Sequence, residues 1–282
     1  MIRIKTIFEF LWKGLIITGL TLVSLMLAGA LLTNLGMKFP EVKSDYRYIV
    51  LIMLLSGFLI SIILGFIAKN LRLTKIRVFM VLFLILILNY ITQILEALYF
   101  APGIVTLEVV PAIFGQQSMM ALFITGGIAF LYSKSQINSG ESIKSRCSFD
   151  WLRKILICSG SYVIFYYIFG SINARLFTGE YYLSQMNGLR LPSTEEIIVL
   201  ETIRAIILVL SIIPLILNLQ LTKKKIMITV GIMLFIIGGL IPMLQQFDTL
   251  PTVLRVTSTV EMFFQFFLTG VVTAYVFLDE AV

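Results

Sequence analysis

The chain has 282 residues, of which 59% are hydrophobic and 13% are charged, and its formal net charge is +7. Soluble domains carry about 25% charged residues, so this composition and a mean hydropathy of +1.00 exclude an ordinary soluble protein. We expect an all-α integral membrane protein. The chain has no histidine, which removes the commonest metal ligand and the commonest general base. We therefore predict no metal site and no cofactor.

Eight apolar segments are long enough to cross a hydrocarbon core roughly 30 Å thick, which takes about 20 helical residues. They lie near residues 14–35, 48–68, 78–100, 110–132, 152–174, 197–219, 226–246 and 257–278. The sequence "LAGA" at 27–30 resembles a signal-peptide cleavage site, but the apolar run continues through Leu31 and Leu32. This continuation favours retention of the first segment as a membrane span.

Basic residues concentrate in alternate loops, and this bias predicts the topology. The loops that we assign to the cytoplasm contain Arg3, Lys5, Lys13, Lys69, Arg72, Lys75, Arg77, Lys134, Lys144, Arg146, Arg153, Lys154, Lys223, Lys224 and Lys225. The opposite loops contain Lys38, Lys43, Arg47, Arg175, Arg190 and Arg255. We expect both termini in the cytoplasm, a bacterial plasma membrane as the location, and no nucleic-acid partner.

The sequence also repeats itself. "LRLTKIR" at 71–77 aligns with "LQLTKKK" at 219–225, and "QSMMALFITG" at 117–126 aligns with "EMFFQFFLTG" at 261–270. We predict two four-helix repeats, residues 1–134 and 150–282, joined by a serine-rich cytoplasmic linker at 135–149. An even number of spans in each repeat gives both copies the same orientation, with a pseudo-two-fold axis along the membrane normal.

Polar side chains interrupt the third span in "NYITQILEALYF", residues 89–100. Asn89, Gln93 and Glu96 follow at spacings of four and three, which places them on one helical face. Because such groups are costly in contact with lipid, we expect this face to point into the bundle.

Other spans carry polar residues at a similar depth, in the half predicted to face outward. These residues are Gln117 in the fourth span, Glu201 and Arg204 in the sixth, Gln245 in the seventh, and Glu261 and Gln265 in the eighth. The repeat pairs Gln117 with Glu261 and Glu96 with Gln245. We predict that these residues, together with Asn89, Gln93 and Glu96, line an outward-facing polar vestibule that binds a ligand or a proton.

Structural roles offer alternatives to this interpretation. Asn89, Gln116 and Gln246 could act as interhelical hydrogen-bond clamps, and Glu201 and Arg204 could form a local ion pair. Tyr181 and Tyr182, in the loop at 175–196, could anchor at the headgroups, or that loop could cap the bundle.

Glu96 and Glu261 are harder to explain by packing alone. Neither has a basic residue within one turn of its own helix. We expect both to line one cavity near Arg204. At least one of them should hold a proton during part of a working cycle, because three carboxylates facing one guanidinium cannot all stay charged at low cost.

Three classes of function remain. The first is a small-molecule or lipid transporter or flippase with proton-linked carboxylates, in contact with the lipid bilayer and an unknown small molecule or lipid. The second is a non-transporting membrane protein for binding, sensing or immunity. The third, an intramembrane enzyme, is disfavoured because no catalytic motif is present. The duplication favours transport, whereas the apolar inner halves of the spans disfavour it.

Overall fold

A computed structural model describes residues 4–40, 46–133, 148–247 and 249–278. Within these ranges, eight helices are long and apolar enough to cross a membrane, which fits a polytopic membrane protein. The predicted number of spans is therefore confirmed. Most of the predicted linker at 135–149 lies outside the described residues.

The described ranges contain ten α-helices, which follow one another along the chain. They are α1 (Ile4–Asn34), α2 (Tyr46–Lys69), α3 (Lys75–Phe100), α4 (Val110–Tyr132), α5 (Ser148–Asn173), α6 (Gly179–Leu183), α7 (Thr194–Asn218), α8 (Lys223–Phe235), α9 (Ile241–Gln245) and α10 (Thr252–Leu278). Two π-helical turns, Ala174–Thr178 and Ile236–Leu240, join α5 to α6 and α8 to α9. Each joined pair forms one span.

The fifth span is longer than the sequence predicted. We placed its end at residue 174, but the helical path continues through the π turn to Leu183. Gly179 and the polar residues after it are typical of a loop, so the sequence pattern hides this extension. In the seventh span, Pro242 lies just inside α9. Proline lacks an N–H and crowds the preceding turn, and the π turn at 236–240 accommodates it.

The helices pack in a regular order. Among the first four, α1 packs on α2 and α4, and α3 packs on α4. Among the rest, α5 packs on α7 and α10, and α8 packs on α10. Contacts between these two groups run from α3 to α7 and from α2 to α8 and α9.

One apolar core runs through the bundle. Its fully buried members include Ile60, Leu64, Leu82, Leu86, Leu208, Ile212, Val230 and Met233. These side chains come from the middle of α2, α3, α7 and α8, so the centre of the bundle is filled with aliphatic groups.

One end of the bundle, which we call the basic end, carries the short turns 70–74 and 219–222. Leu71 and Leu219 form an isolated antiparallel β-bridge here. Two hydrogen bonds flank this bridge. The Arg72 N–H donates to the Asn218 carbonyl at 3.0 Å, and the Gln220 N–H donates to the Asn70 carbonyl at 2.9 Å. The turns that lead into α3 and α8 are therefore joined through their backbones.

The opposite end, which we call the cavity end, carries the loops 101–109 and 184–193 and the residues 246–247 and 249–251. The Gly103 N–H donates to the Gly188 carbonyl at 3.2 Å, and the Arg190 N–H donates to the Phe100 carbonyl at 2.9 Å. A small apolar cluster of Leu189, Leu250 and Leu254, with Tyr181 and Tyr182 packed against it, lies beside this junction. These loops cover the cavity end of the bundle.

A capping box fixes the start of α7, just after the covering loop. The Ser193 hydroxyl accepts from the Glu196 N–H at 3.2 Å, and the Glu196 carboxylate accepts from the Ser193 N–H at 2.8 Å. This reciprocal pair satisfies two N–H groups that have no partner within the helix. It sets the register of α7, whose second and third turns carry Glu201 and Arg204.

Candidate functional site

A cavity of about 240 Å³ lies under the covering loops at the cavity end. Side chains from α3, α4, α9 and α10 form most of its wall, with contributions from α5 and α6. Its polar lining consists of Gln93, Glu96, Gln117, Gln245, Gln246, Ser258 and Glu261. Its aromatic lining consists of Tyr90, Phe100, Tyr166 and Tyr182. Five residues that the sequence predicted for the vestibule therefore reach one space: Gln93, Glu96, Gln117, Gln245 and Glu261.

A buried ion cluster forms one side of this site. Arg204 donates through Nη1 to both carboxylate oxygens of Glu201, at 2.6 and 2.9 Å, and through Nη2 to Oε2 of Glu96 at 2.5 Å. Arg204 is 2% exposed and Glu201 is 0% exposed. Neither lines the cavity, so Glu96 is the member of the cluster that faces it.

The cluster follows from local sequence and from helix packing. Glu201 and Arg204 are three residues apart on α7, which brings their side chains together on one face. The packing of α3 on α7 brings Glu96 to the same guanidinium. The Tyr162 hydroxyl, from α5, donates to Oε2 of Glu201 at 3.2 Å. The ion pair between Glu201 and Arg204, which we considered as an alternative, is therefore present, and Arg204 also binds the carboxylate of Glu96.

Glu261 has a neutral partner. Asn173, at the end of α5, donates through Nδ2 to Oε2 of Glu261 at 2.5 Å. The other oxygen lies beside Gly170, where a Cβ would come within 3.1 Å of Oε1. Among the described residues, no Lys or Arg forms an ion pair with Glu261. The two cavity carboxylates thus differ in environment, because Glu96 forms an ion pair with Arg204 and Glu261 has a neutral partner.

Amide groups connect α3 to the π turn of the seventh span. Gln93 donates through Nε2 to Oδ1 of Asn89 at 2.5 Å and to the Ile237 carbonyl at 3.0 Å. A π turn shifts the helical hydrogen-bond ladder, so a carbonyl such as that of Ile237 can accept from outside its own helix. Asn89 is 1% exposed and does not line the cavity. Its Oδ1 accepts from Gln93 on its own helix, and its Nδ2 has no partner among the described residues. The interhelical hydrogen bond at this point is therefore made by Gln93 and not by Asn89.

The remaining amides divide between the cavity and the packed interior. Gln245 donates weakly through Nε2 to Sδ of Met53 at 3.7 Å. Oε1 of Gln117 is buried and has no donor in the described part of the chain. Gln265 is 3% exposed and lies outside the cavity. Gln265 is about one turn deeper than Glu261, where helices pack, and its assignment to the vestibule stays a prediction.

Sequence reasoning missed several residues of the site, among them Tyr162, Tyr166, Asn173 and Tyr182. Tyr162 and Asn173 bind the carboxylates of Glu201 and Glu261, respectively. They are eleven positions apart in the sequence. This offset is close to three helical turns, so they share one face of the fifth span. That spacing is the signal that could have revealed a polar face on α5.

The chemical capacity of the site is that of binding and proton exchange. Carboxylates, amides and phenols line it, and the described residues contain no group of three or more His, Cys, Asp or Glu placed to hold a metal ion. Comparison with protein-family models, with curated proteins and with solved structures found no match to this chain.

Proposed function

We propose that this protein is a proton-linked transporter of a small molecule or lipid, and that the cavity is its substrate site. One observation carries the proposal: Glu96 and Glu261 reach one cavity from two different helices of the bundle. Intramembrane carboxylates that face a cavity typically mark ion, proton or substrate pathways. No catalytic step belongs to this proposal. The proposed location is a bacterial plasma membrane.

The proposal includes an internal duplication, with residues 1–134 and 150–282 as the two copies. A further sequence match supports it: "FEFLWKGLIITG" at 8–19 aligns with "FDWLRKILICSG" at 149–160. The helix contacts correspond as well, because the first, second, third and fourth spans pack on one another as the fifth, sixth, seventh and eighth do. The contacts between the halves correspond too. The third span packs on the sixth, and its counterpart, the seventh span, packs on the second.

Similar side-chain contacts occur near the basic end of both halves. Phe10 packs on Tyr132 with ring centroids 5.1 Å apart, and Trp151 packs on Phe277 at 5.6 Å. Lys75 lies over the Phe130 ring at 5.2 Å, and Lys223 lies over the Tyr275 ring at 4.1 Å. The alignment pairs Phe10 with Trp151 and Lys75 with Lys223, whereas Phe277 and Tyr275 each lie one residue beyond the counterparts of Tyr132 and Phe130. The β-bridge joins two leucines that the alignment pairs with each other, a relation expected of a pseudo-two-fold axis.

The duplicated interfaces differ in charge. The alignment pairs Glu201 with Met53 and Arg204 with Ser56, and it pairs Glu96 with Gln245 once the π turn has added one residue to the seventh span. The contact between α2 and α9 is accordingly the neutral one from Gln245 to Met53. The ion cluster occurs in one of the two equivalent places, so a single substrate site follows rather than a symmetric pair.

Proton linkage follows from the charges. If all three carboxylates are ionised, Glu96, Glu201 and Glu261 carry three negative charges, and the guanidinium of Arg204, which binds the first two, supplies one positive charge. In a site of low dielectric constant, an excess of like charge is reduced most readily when one carboxylate takes a proton. Glu261 is the best candidate, since Asn173 supplies one neutral donor and no countercharge. Entry of a substrate would then be coupled to release of that proton.

The test is a flux assay in proteoliposomes. A trapped pH-sensitive dye reports proton movement while amines, amino acids, sugars and carboxylates are added in turn. At least one solute class should move protons, and the signal should be lost in Glu261→Gln but retained in Glu195→Gln, which alters an exposed carboxylate. Equal flux in wild type and Glu261→Gln would contradict the proposal.

A non-transporting receptor or sensor is the second candidate. The observation that favours it is the apolar core between the cavity and the basic end, because the carboxylates and amides of the site lie at the cavity end. A ligand that binds the purified protein, with no flux in any direction, would support this alternative.

The proposed orientation places the cavity end outside and both termini in the cytoplasm. Cysteine labelling tests it in a background with Cys147→Ser and Cys158→Ala. Ser184→Cys should react with an impermeant maleimide in intact cells, whereas Ser139→Cys should react only after lysis. The reverse pattern would invert the topology.

A further inference from the structure

We propose that the ligand of this cavity is a compact organic ammonium compound, bound between Glu261 and Glu96 and in contact with the aromatic lining. This inference rests on the proposed substrate site and names the chemical class of the substrate.

The charge of the lining selects a cation. In the described chain, the cavity wall contains the carboxylates of Glu96 and Glu261 and no Lys or Arg. Arg204 lies behind Glu96, and both of its Nη groups already bind carboxylates. The Nε of Arg204 has no hydrogen-bond partner among the described residues, but Arg204 does not line the cavity. An anion would therefore meet like charge and no cationic donor in the wall, whereas an ammonium group would meet an excess of negative charge.

The hydrogen-bonding groups point to the same class. The buried Oε1 of Gln117 lacks a donor within the described residues, and Oε1 of Glu261 receives no hydrogen bond from them. Both residues line the cavity. A ligand with N–H or polarised C–H groups supplies donors to acceptors of this kind, and buried polar atoms are normally satisfied.

The aromatic residues add a second kind of recognition. Tyr90, Phe100, Tyr166 and Tyr182 come from α3, α5 and α6 and line the same space. Aromatic faces attract cations, and cages of such rings recognise quaternary ammonium ligands. The combination of rings with carboxylates is specific for an organic cation, because a hydrated metal ion gains little from apolar walls.

The size limits the ligand. The cavity volume of about 240 Å³ is below the roughly 300–1,000 Å³ of pockets for drug-sized ligands. A compact ammonium compound therefore fits, either as a free amine or as the amine headgroup of a lipid whose chains remain in the bilayer. These two sources share one recognition chemistry.

Protons should compete with the cation at Glu261. The ionisable groups that interact electrostatically with it are Glu96 on α3, Tyr166 on α5, Tyr182 on α6 and Glu201 on α7. Arg204 binds Glu96 and Glu201. The tyrosines are neutral near pH 7, so the carboxylates dominate the electrostatics. Affinity for a cation should consequently fall as the pH is lowered.

The experiment compares choline with its neutral isostere, 3,3-dimethylbutan-1-ol, on the full chain in detergent by titration calorimetry. Choline should bind, and the isostere, which has carbon in place of the charged nitrogen, should bind at least about tenfold more weakly. Glu261→Gln should weaken choline binding at least about tenfold, and Glu195→Gln should leave it unchanged. Thermal unfolding verifies that both variants are folded.

A second arm separates the two sources of the ligand. Nanodiscs that contain phosphatidylethanolamine should compete with choline if the natural ligand is a lipid headgroup, and phosphatidylglycerol nanodiscs should not. Choline binding of equal affinity in the presence of either lipid indicates a free amine.

Two results overturn the inference. One is binding of the isostere as strong as that of choline, and the other is the absence of binding by choline, ethanolamine and tetraethylammonium alike. Proton-linked flux of an uncharged or anionic solute would support the proposed transport and contradict the proposed cationic ligand. Choline binding without flux would support the cationic ligand and contradict transport.

Discussion

Removal of the Arg204 guanidinium should destabilise the protein strongly. Methionine at this position keeps much of the side-chain volume but leaves Glu201, which is 0% exposed, without its countercharge. Breaking a buried ion pair by removing one partner costs about 3–5 kcal/mol. Because Glu96 also loses its partner, we expect Arg204→Met to lower the free energy of unfolding by about 3–5 kcal/mol.

A second substitution shows whether the cost comes from the orphaned carboxylates. Glu201→Gln combined with Arg204→Met removes the fully buried charge, and replacement of buried ion pairs by neutral groups is often close to neutral. The double variant should therefore be more stable than Arg204→Met alone. The coupling free energy from this cycle should be about 1–3 kcal/mol, the range for residues in one network.

The assay is equilibrium unfolding in mixed micelles of a mild detergent and dodecyl sulfate, followed by tryptophan fluorescence. Arg190→Met is the matched control, since Arg190 binds Glu196 in an exposed ion pair, and such pairs contribute about 0–1 kcal/mol. Two outcomes would contradict the role given to the buried cluster. One is that Arg204→Met lowers the free energy of unfolding no more than Arg190→Met does. The other is that the double variant is less stable than the sum of the two single changes predicts.

Two further predictions concern the cavity end. Gly103→Ala should destabilise the protein by about 1–3 kcal/mol, because its Cβ would lie 2.6 Å from the Gly188 Cα. Gly29→Ala, which meets open space, should not, and equal melting temperatures for the two variants would contradict this. The Lys38–Glu108 ion pair raises the pKa of Lys38 and lowers the pKa of Glu108. The contact should therefore weaken as pH falls through the lowered pKa or rises through the raised one. In NMR of ¹³C-methylated lysines, Glu108→Gln should shift the titration of Lys38 to lower pH, and an unchanged titration would show that the pair does not form.

Hydropathy was sufficient to predict the eight spans, because the length of an apolar segment depends on local composition alone. It was insufficient for the fifth span, where a π turn carries the helix into a stretch whose Gly179 and Glu180 are typical of a loop. Glu96 and Glu261 could be predicted as a pair since each is an isolated charge in an apolar helix. The sequence therefore identified the groups that need partners.

The identity of those partners could not be predicted in the same way. Asn173 and Tyr162 bind carboxylates on other helices, and which helices become neighbours depends on tertiary packing. Gln265 shows the converse limit. It shares a helix and nearly a face with Glu261, yet the cavity ends between them. One helical turn of depth, about 5.4 Å, separates a lining residue from a packed one.

The bridge between Leu71 and Leu219 has a mechanical consequence. It fixes the two turns that begin α3 and α8 to each other at the basic end. With a rise of about 1.5 Å per residue, the path along α3 from Lys75 to Glu96 is about 32 Å long. A rotation of about 5° about the bridge would then displace the carboxylate of Glu96 by about 3 Å, roughly the length of its hydrogen bond to Arg204. The bridge would thus act as a hinge point, and a rotation of the helices would cause the smallest displacements beside it and the largest at the cavity.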